Sequence, residues 1–213
     1  MANSFMEQMA FPKGWLGSFI LKGMNIGHRK LWEGTLQGLA LPEEGRILDI
    51  GCGGGGMLHR LLREYPRLAA DGLDVSETSV KESRRKNRCY GSRCTIAQGE
   101  ATALPYEDGR FDLAVTTDSL YWWEDLARAF SEVHRVLKPD GRFVIGLEAI
   151  DPTDTTWSSK FERMIIHAPE EIVAYLEGAG FSDVRTDMFP KTRWVNGARF
   201  IARKAGRMEA ASS

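Results

Sequence analysis

The run ILDIGCGGGGMLHRL, residues 47–61, sets an apolar, strand-like stretch directly against five glycines in six positions, followed by a helix-like pattern. A turn that rich in glycine at the C-terminal end of a strand lets a ligand approach the backbone closely, because no side chain stands between it and the amide groups. It also constrains the architecture. A strand, a tight turn and a helix form the opening unit of a mostly parallel sheet covered by helices.

The rest of the chain keeps that alternation. RILDI (46–50) is the first strand, followed by a helix over 55–64, strand DGLDV (71–75), a helix over 77–88, strands CTIAQ (94–98) and FDLAVT (111–116), a helix over 124–137 and strand RFVIGL (142–147). A helix over 169–179 ends at Gly180, and FSDVRTDMF and RWVNGARFIARK then follow with only a short turn region between them. Two late strands without an intervening helix must pair antiparallel, as a hairpin. The pattern therefore predicts an α/β fold: a seven-stranded, mostly parallel sheet with one antiparallel strand and helices on both faces. Before it, GHRKLWEGTLQGLAL (27–41) spaces Leu31, Thr35, Leu36 and Leu39 as a helix face would, closed by Pro42 and Gly45. One domain over 1–213 is expected, with residues 1–44 as an N-terminal helical lid, 45–205 as the core and 206–213 as a flexible tail.

Charge and cysteine content narrow the function. Lys and Arg total 28 against 29 for Asp and Glu in 213 residues, so no overall field gathers a polyanion, and a nucleic-acid partner is not expected. The three cysteines, Cys52, Cys89 and Cys94, are odd in number and lack zinc-type spacing. They fit a reducing compartment better than a disulfide framework, so the expectation is a cytoplasmic chain without a metal site. The N-terminal stretch mixes charge and glycine among its apolar residues, which is neither a signal peptide nor a membrane span. No membrane partner is expected. Oligomeric state is not legible at this level, and a homodimer is compatible with it.

The glycine turn alone admits two ligands. Gly51, Gly53 and Gly56 satisfy the dinucleotide fingerprint, while Asp49, Gly51, Gly53 and Gly55 satisfy the looser pattern of S-adenosylmethionine enzymes. Asp74, at the end of the second strand and about 20 residues past the loop, is placed to accept hydrogen bonds from a ribose diol under either reading. Ser76 is the better cap for the helix that follows.

Residues 99–146, GEATALPYEDGRFDLAVTTDSLYWWEDLARAFSEVHRVLKPDGRFVIG, resemble the class I S-adenosylmethionine-dependent methyltransferases, in particular the small-molecule group that includes the ubiquinone and menaquinone biosynthesis enzymes. ILDIGCGGG, GLDVS, LPYEDGRFDLAV and RVLKPDG occur in the order that family shows, and the resemblance spans roughly residues 45 to 205. It implies a Rossmann-like fold, S-adenosylmethionine as cofactor and S-adenosylhomocysteine as product. It further implies a methionine moiety over Gly51, Cys52 and Gly53, with Asp49 near its ammonium group. Asp74, followed by Val75, would hold the ribose, and Glu100 with the Ala101 amide would meet the adenine edge. Thr117 would lie beside the sulfonium. Two departures stand out: Glu100 replaces the usual Asp, and Asp140 replaces the usual first glycine of the RVLKPDG turn, which is read as structural.

Methyl transfer from a sulfonium is an in-line displacement, which needs the acceptor aligned and close more than it needs acid–base groups. A high-pKa acceptor would also need a base. The carboxyl ends of the strands select the region around Met24 to Trp32, SLYWW (119–123) and LEAID (147–151) as acceptor walls. Met24, His28, Tyr121, Trp122 and Glu148 are therefore the expected substrate-binding residues, with His28, Tyr121 and Glu148 the candidates for chemistry. His59 and His134 are read as packing residues. The function expected is methyl transfer to a small, hydrophobic or aromatic molecule. Three alternatives remain at this point: an RNA or protein methyltransferase, suggested by KESRRKNRCYGSR (81–93); a non-catalytic cofactor-binding subunit; and thiol or arsenic chemistry at Cys89 and Cys94.

Overall fold

The computed structural model describes residues 8–161, 163–190 and 195–206, the side chains at 22 and 25–27 aside. Among these residues seven strands form one sheet: β1 (Glu44–Ile50), β2 (Arg67–Asp74), β3 (Cys94–Gln98), β4 (Phe111–Thr117), β5 (Leu137–Leu147), β6 (Phe181–Met188) and β7 (Ala198–Lys204). Their order is β3-β2-β1-β4-β5-β7-β6. The first five run parallel, while β7 pairs antiparallel with both β5 and β6. The reversed strand thus stands one place in from the edge, with β6 outside it.

The helices are α1 (Gly14–Gly27), α2 (Arg29–Leu36), α3 (Gly56–Glu64), α4 (Glu77–Asn87), α5 (Leu126–Val136), the short α6 (Thr155–Ser158) and α7 (Pro169–Gly178). Side chains of the central strands alternate between two cores, as the two-residue period of a strand requires. Phe143 and Ile145 of β5 join the cluster holding Phe130 and Val133 of α5. Val144, between them, joins the opposite cluster with Leu58 and Leu61 of α3. A sheet covered on both faces needs continuous apolar strands. The run ILDI and the run FDLAVT meet that need at the centre, where Ile47, Leu48, Leu113, Ala114 and Val115 are fully buried.

Several boundaries differ from the sequence expectation. The helix expected over 27–41 is the shorter Arg29–Leu36, set off at His28 from the preceding helix Gly14–Gly27, and it stops at Leu36 because Gly38 turns left-handed at φ +70°. The second strand begins at Arg67, four residues before the expected start. The helix expected from 124 begins at Leu126, since Asp125 caps it by accepting a hydrogen bond from the Arg128 amide at 2.9 Å. Asp140 holds φ +64° in the turn where the family usually has glycine, a conformation Asp tolerates better than most residues. Of the expected flexible tail, only Gly206 falls within the described residues. No helix among the described residues is long and apolar enough to cross a membrane.

Candidate active site

The glycine turn between β1 and α3 is stitched to the end of β2. Gly51 and Cys52 both donate their amides to the Leu73 carbonyl, at 2.8 and 3.0 Å. Gly53 donates to Asp74 Oδ2 at 2.8 Å, and Asp74 Oδ1 accepts from the Ser76 amide at 2.9 Å. Two of the glycines are obligatory on steric grounds. Gly51 holds φ +77°, and a Cβ there would collide with the Ser119 side chain; Gly55 holds φ +70°, and a Cβ there would meet Ser83 and Asn87.

The chain ahead of β1 folds back over this turn. Ser76 caps α4, accepting from the Ser79 amide, and donates its hydroxyl to the Pro12 carbonyl at 2.6 Å. The Gly14 amide donates to Thr78 Oγ1 at 3.1 Å. Together these elements line a cavity of about 900 Å³. All nine residues expected to meet the cofactor face it: Asp49, Gly51, Cys52, Gly53, Asp74, Val75, Glu100, Ala101 and Thr117. So do Met24, His28 and Trp122 from the expected acceptor set, together with Phe11, Trp32 and Trp123. Trp122 is held edge-on between Phe11 and Phe161, with ring centroids 5.5 Å from each.

Electrostatics divide the cavity into two acidic regions. At the glycine turn, Asp49 is 2 % exposed. Burial, reinforced by repulsion from Asp74, lifts its pKa to about 8. Burial raises Asp74 as well, against the lowering effect of the hydrogen bonds from Ser76 and Gly53. Burial also pushes the Cys52 thiol well up, so Cys52 offers its backbone rather than a thiolate.

The second region lies past β4. Asp118 adopts φ +50° there, and its Oδ1 accepts from the Glu148 amide at 2.9 Å and from the Tyr121 hydroxyl at 3.1 Å. Its Oδ2 faces His28 Nε2 at 4.0 Å. Burial raises Asp118 to about 6 against those two donors, and burial with repulsion from Asp118 raises Glu148 to about 7. Burial lowers His28, while Glu148 pulls it back up.

Sequence reasoning missed Asp118, although the signal was an acid directly after Thr117 at the carboxyl end of a central strand. Two expected catalytic candidates take other positions. Tyr121 is 4 % exposed and does not line the cavity, because its hydroxyl donates to Asp118 and accepts from the Ala149 amide at 2.9 Å. It holds the Asp118 carboxylate in place. Glu148 stands behind Asp118, outside the cavity wall. His59 contacts Tyr90 and His134 packs edge-on against Phe181, so both are packing residues. Three arginines of the basic segment 81–93 are engaged with the protein itself: Arg84 donates to the Ile96 carbonyl, Arg85 pairs with Glu82, and Arg93 donates to the Leu68 carbonyl.

Residues 48–145 match the family described as methyltransferase domain. Over 105 residues the chain is 38 % identical to a malonyl-[acyl-carrier protein] O-methyltransferase of Geobacter sulfurreducens, covering 49 % of this chain and 39 % of the relative. Over 163 residues it is 32 % identical to the chloroplastic 2-methyl-6-phytyl-1,4-hydroquinone methyltransferase 2 of Oryza sativa subsp. japonica, covering 72 % of this chain and 43 % of the relative. Residues 48–145 are thus a methyltransferase domain, and the chain around them is similar in sequence to class I S-adenosylmethionine-dependent methyltransferases. The chain spans less than half the length of these two relatives. The fold agrees with that of a methyltransferase from Haemonchus contortus solved in complex with phosphomonomethylethanolamine and S-adenosylhomocysteine, with a TM-score of 0.77, 17 % identity, and coverage of 95 % of this chain and 61 % of that one.

The cofactor of this methyltransferase family is S-adenosylmethionine, and the donor set around the glycine turn suits it. A buried carboxyl such as Asp49 ionises readily only beside a cation, which an amino-acid ligand supplies. Asp74 stands at the strand end where a carboxylate can accept from hydroxyls. The glycine turn leaves a close approach to its backbone.

Proposed function

We propose that this methyltransferase domain transfers a methyl group to a small acceptor with an apolar or aromatic body. The observation that carries the reading is the continuity of the cavity, which runs from the glycine turn and Asp74 to the ring walls of Phe11, Trp32 and Trp122. S-adenosylmethionine supplies an electrophilic methyl on a sulfonium. In this reading Asp49 accepts from its ammonium group, and Gly51, Cys52 and Gly53 meet the methionine moiety through their backbone. Asp74 accepts from the ribose hydroxyls, with Val75 beside it. Glu100 and the Ala101 amide take the adenine edge, and Thr117 borders the reacting centre. Met24, His28 and Trp122 form the acceptor wall, while Tyr121 and Glu148 support it from behind.

The chain's contribution is mainly to align and enclose. The segment before α1, together with α1 and α2, contributes Phe11, Leu21, Met24, His28 and Trp32 to the cavity wall, cover that would keep water from a reactive sulfonium. Three free cysteines support a reducing, cytoplasmic setting.

Calorimetric titration with S-adenosylmethionine, S-adenosylhomocysteine and NAD tests the cofactor side. Micromolar binding of the first two with no heat from NAD is expected; binding of NAD alone would sink the reading. Turnover of methyl donor with a panel of small aromatic acceptors tests the transfer, and binding without turnover on any of them would favour a non-catalytic subunit.

A further inference from the structure

The acceptor half of the cavity carries an unusual charge arrangement. Asp118 lines it, and its two carboxylate oxygens are differently placed. Oδ1 is anchored by the Glu148 amide and the Tyr121 hydroxyl, whereas Oδ2 is turned to His28, another residue of the cavity wall. The Glu148 carboxyl lies close enough for each to feel the other and for His28 to feel Glu148. Tyr121 stays neutral, because burial raises its hydroxyl well above the ordinary value. The two arginines in the same cavity wall are engaged elsewhere: Arg163 pairs with Glu124 at 3.0 Å, and Arg128 donates to the Thr102 carbonyl at 2.9 Å. The aromatic walls, Phe11, Trp32 and Trp122, present ring faces or edges and no charge.

We infer that the acceptor is an amine: Asp118, backed by Glu148, receives it as an ammonium ion beside the aromatic wall, and His28 takes the proton that must leave before methyl transfer. The inference rests on the methyl-transfer reading above and specifies its substrate class. A carboxylate acceptor is disfavoured, because it would set a further negative charge against Asp118 in a desolvated site. A neutral alcohol would leave Oδ2 without a cation. An ammonium ion supplies both charge and donors, and its organic body contacts the rings.

The proton steps balance. An ammonium nitrogen has no lone pair, so one N–H proton passes to the His28 imidazole, whose cation Asp118 and Glu148 then hold. The freed amine pair forms the N–C bond to the methyl group while the S–C pair stays on sulfur as a thioether. The proton on His28 leaves to solvent. An amine cation and a sulfonium thus become a methylated ammonium, a neutral thioether and one released proton, with total charge unchanged.

The test uses the full chain loaded with S-adenosylhomocysteine and three probes that share one ring and differ in charge: benzylamine, benzyl alcohol and benzoate. Calorimetry at neutral pH should give the order amine, alcohol, benzoate. Asp118→Asn keeps an oxygen for the Glu148 amide and the Tyr121 hydroxyl but removes the charge. It should weaken benzylamine at least tenfold and leave benzyl alcohol within about twofold. Glu148→Gln should weaken the amine in the same direction. Unchanged S-adenosylhomocysteine affinity in both variants certifies the fold. Equal or tighter binding of alcohol or benzoate, an amine affinity insensitive to Asp118→Asn, or no amine binding at millimolar concentration overturns the inference. Failure of the wild-type chain to bind S-adenosylhomocysteine would instead overturn the underlying methyl-transfer reading.

Discussion

Cofactor binding should move protons, and Asp49 sets how many. Its pKa of about 8 means that at pH 7 about nine-tenths of the free protein carries a proton on this carboxyl. The form that pairs with an ammonium group is the ionised one, so affinity falls as pH falls below 8, by about tenfold per unit. The ligand's amino group runs the other way. Taking the ordinary α-amino pKa of about 7.7–8.0, it must gain a proton when it binds above that range. The two terms give a net release of about 0.8 proton at pH 7, near zero at pH 8, and an uptake of about 0.8 at pH 9. The assay is calorimetric titration with S-adenosylhomocysteine in buffers of different ionisation enthalpy, which reads proton transfer directly from the buffer dependence of the heat. Asp49→Asn should bind more weakly and lose the release at pH 7, which separates Asp49 from Asp74, whose carboxyl is shifted in the same direction. Equal heats in all buffers at pH 7, or a release that survives in Asp49→Asn, would refute the reasoning.

Three further outcomes follow from the geometry. Asp74→Ala should weaken S-adenosylmethionine by more than tenfold in the same titration with little change in unfolding midpoint, since it removes the proposed ribose acceptor and the anchor of the Gly53 amide; unchanged affinity removes Asp74 from the site. Asp71 is fully buried between Arg46 and Arg110, at 2.5 and 3.0 Å. Asp71→Ala strands both cations and should cost about 3 kcal/mol in urea denaturation, read at constant slope. Gly51→Ala forces a Cβ onto Ser119 at a positive φ, so cofactor binding should fall below detection in calorimetry while circular dichroism still reports a folded chain.

The parts of the fold that were legible in the sequence are those governed by local rules. ILDI and FDLAVT read as strands because a doubly covered sheet demands unbroken apolar runs, and Asp74 read as a site residue because it ends such a strand. RLAA, at the start of β2, was missed because Arg67 and a pair of alanines give neither alternation nor β-branching, and pairing with β1 decides their conformation instead. The early end of α2 at Leu36 was missed because TLQGLAL continues a helical period. On the acceptor side, Tyr121 read as part of the acceptor wall because it sits among aromatics at a strand end. Its burial depends on Asp118 and the Ala149 amide, the latter 28 residues away, and no local pattern reports such a contact.

The position of β7 bears on how the chain comes off the ribosome. β5 finds its second neighbour only when residues 198–204 have been made, yet the interior of β5, from Phe143 to Ile145, is fully buried in the finished sheet. Until then β5 is an open apolar edge, the kind of template that recruits other chains. Nascent chains arrested before Ala198 should therefore be the most prone to aggregate, and the glycine turn, complete more than a hundred residues earlier, gives them no protection.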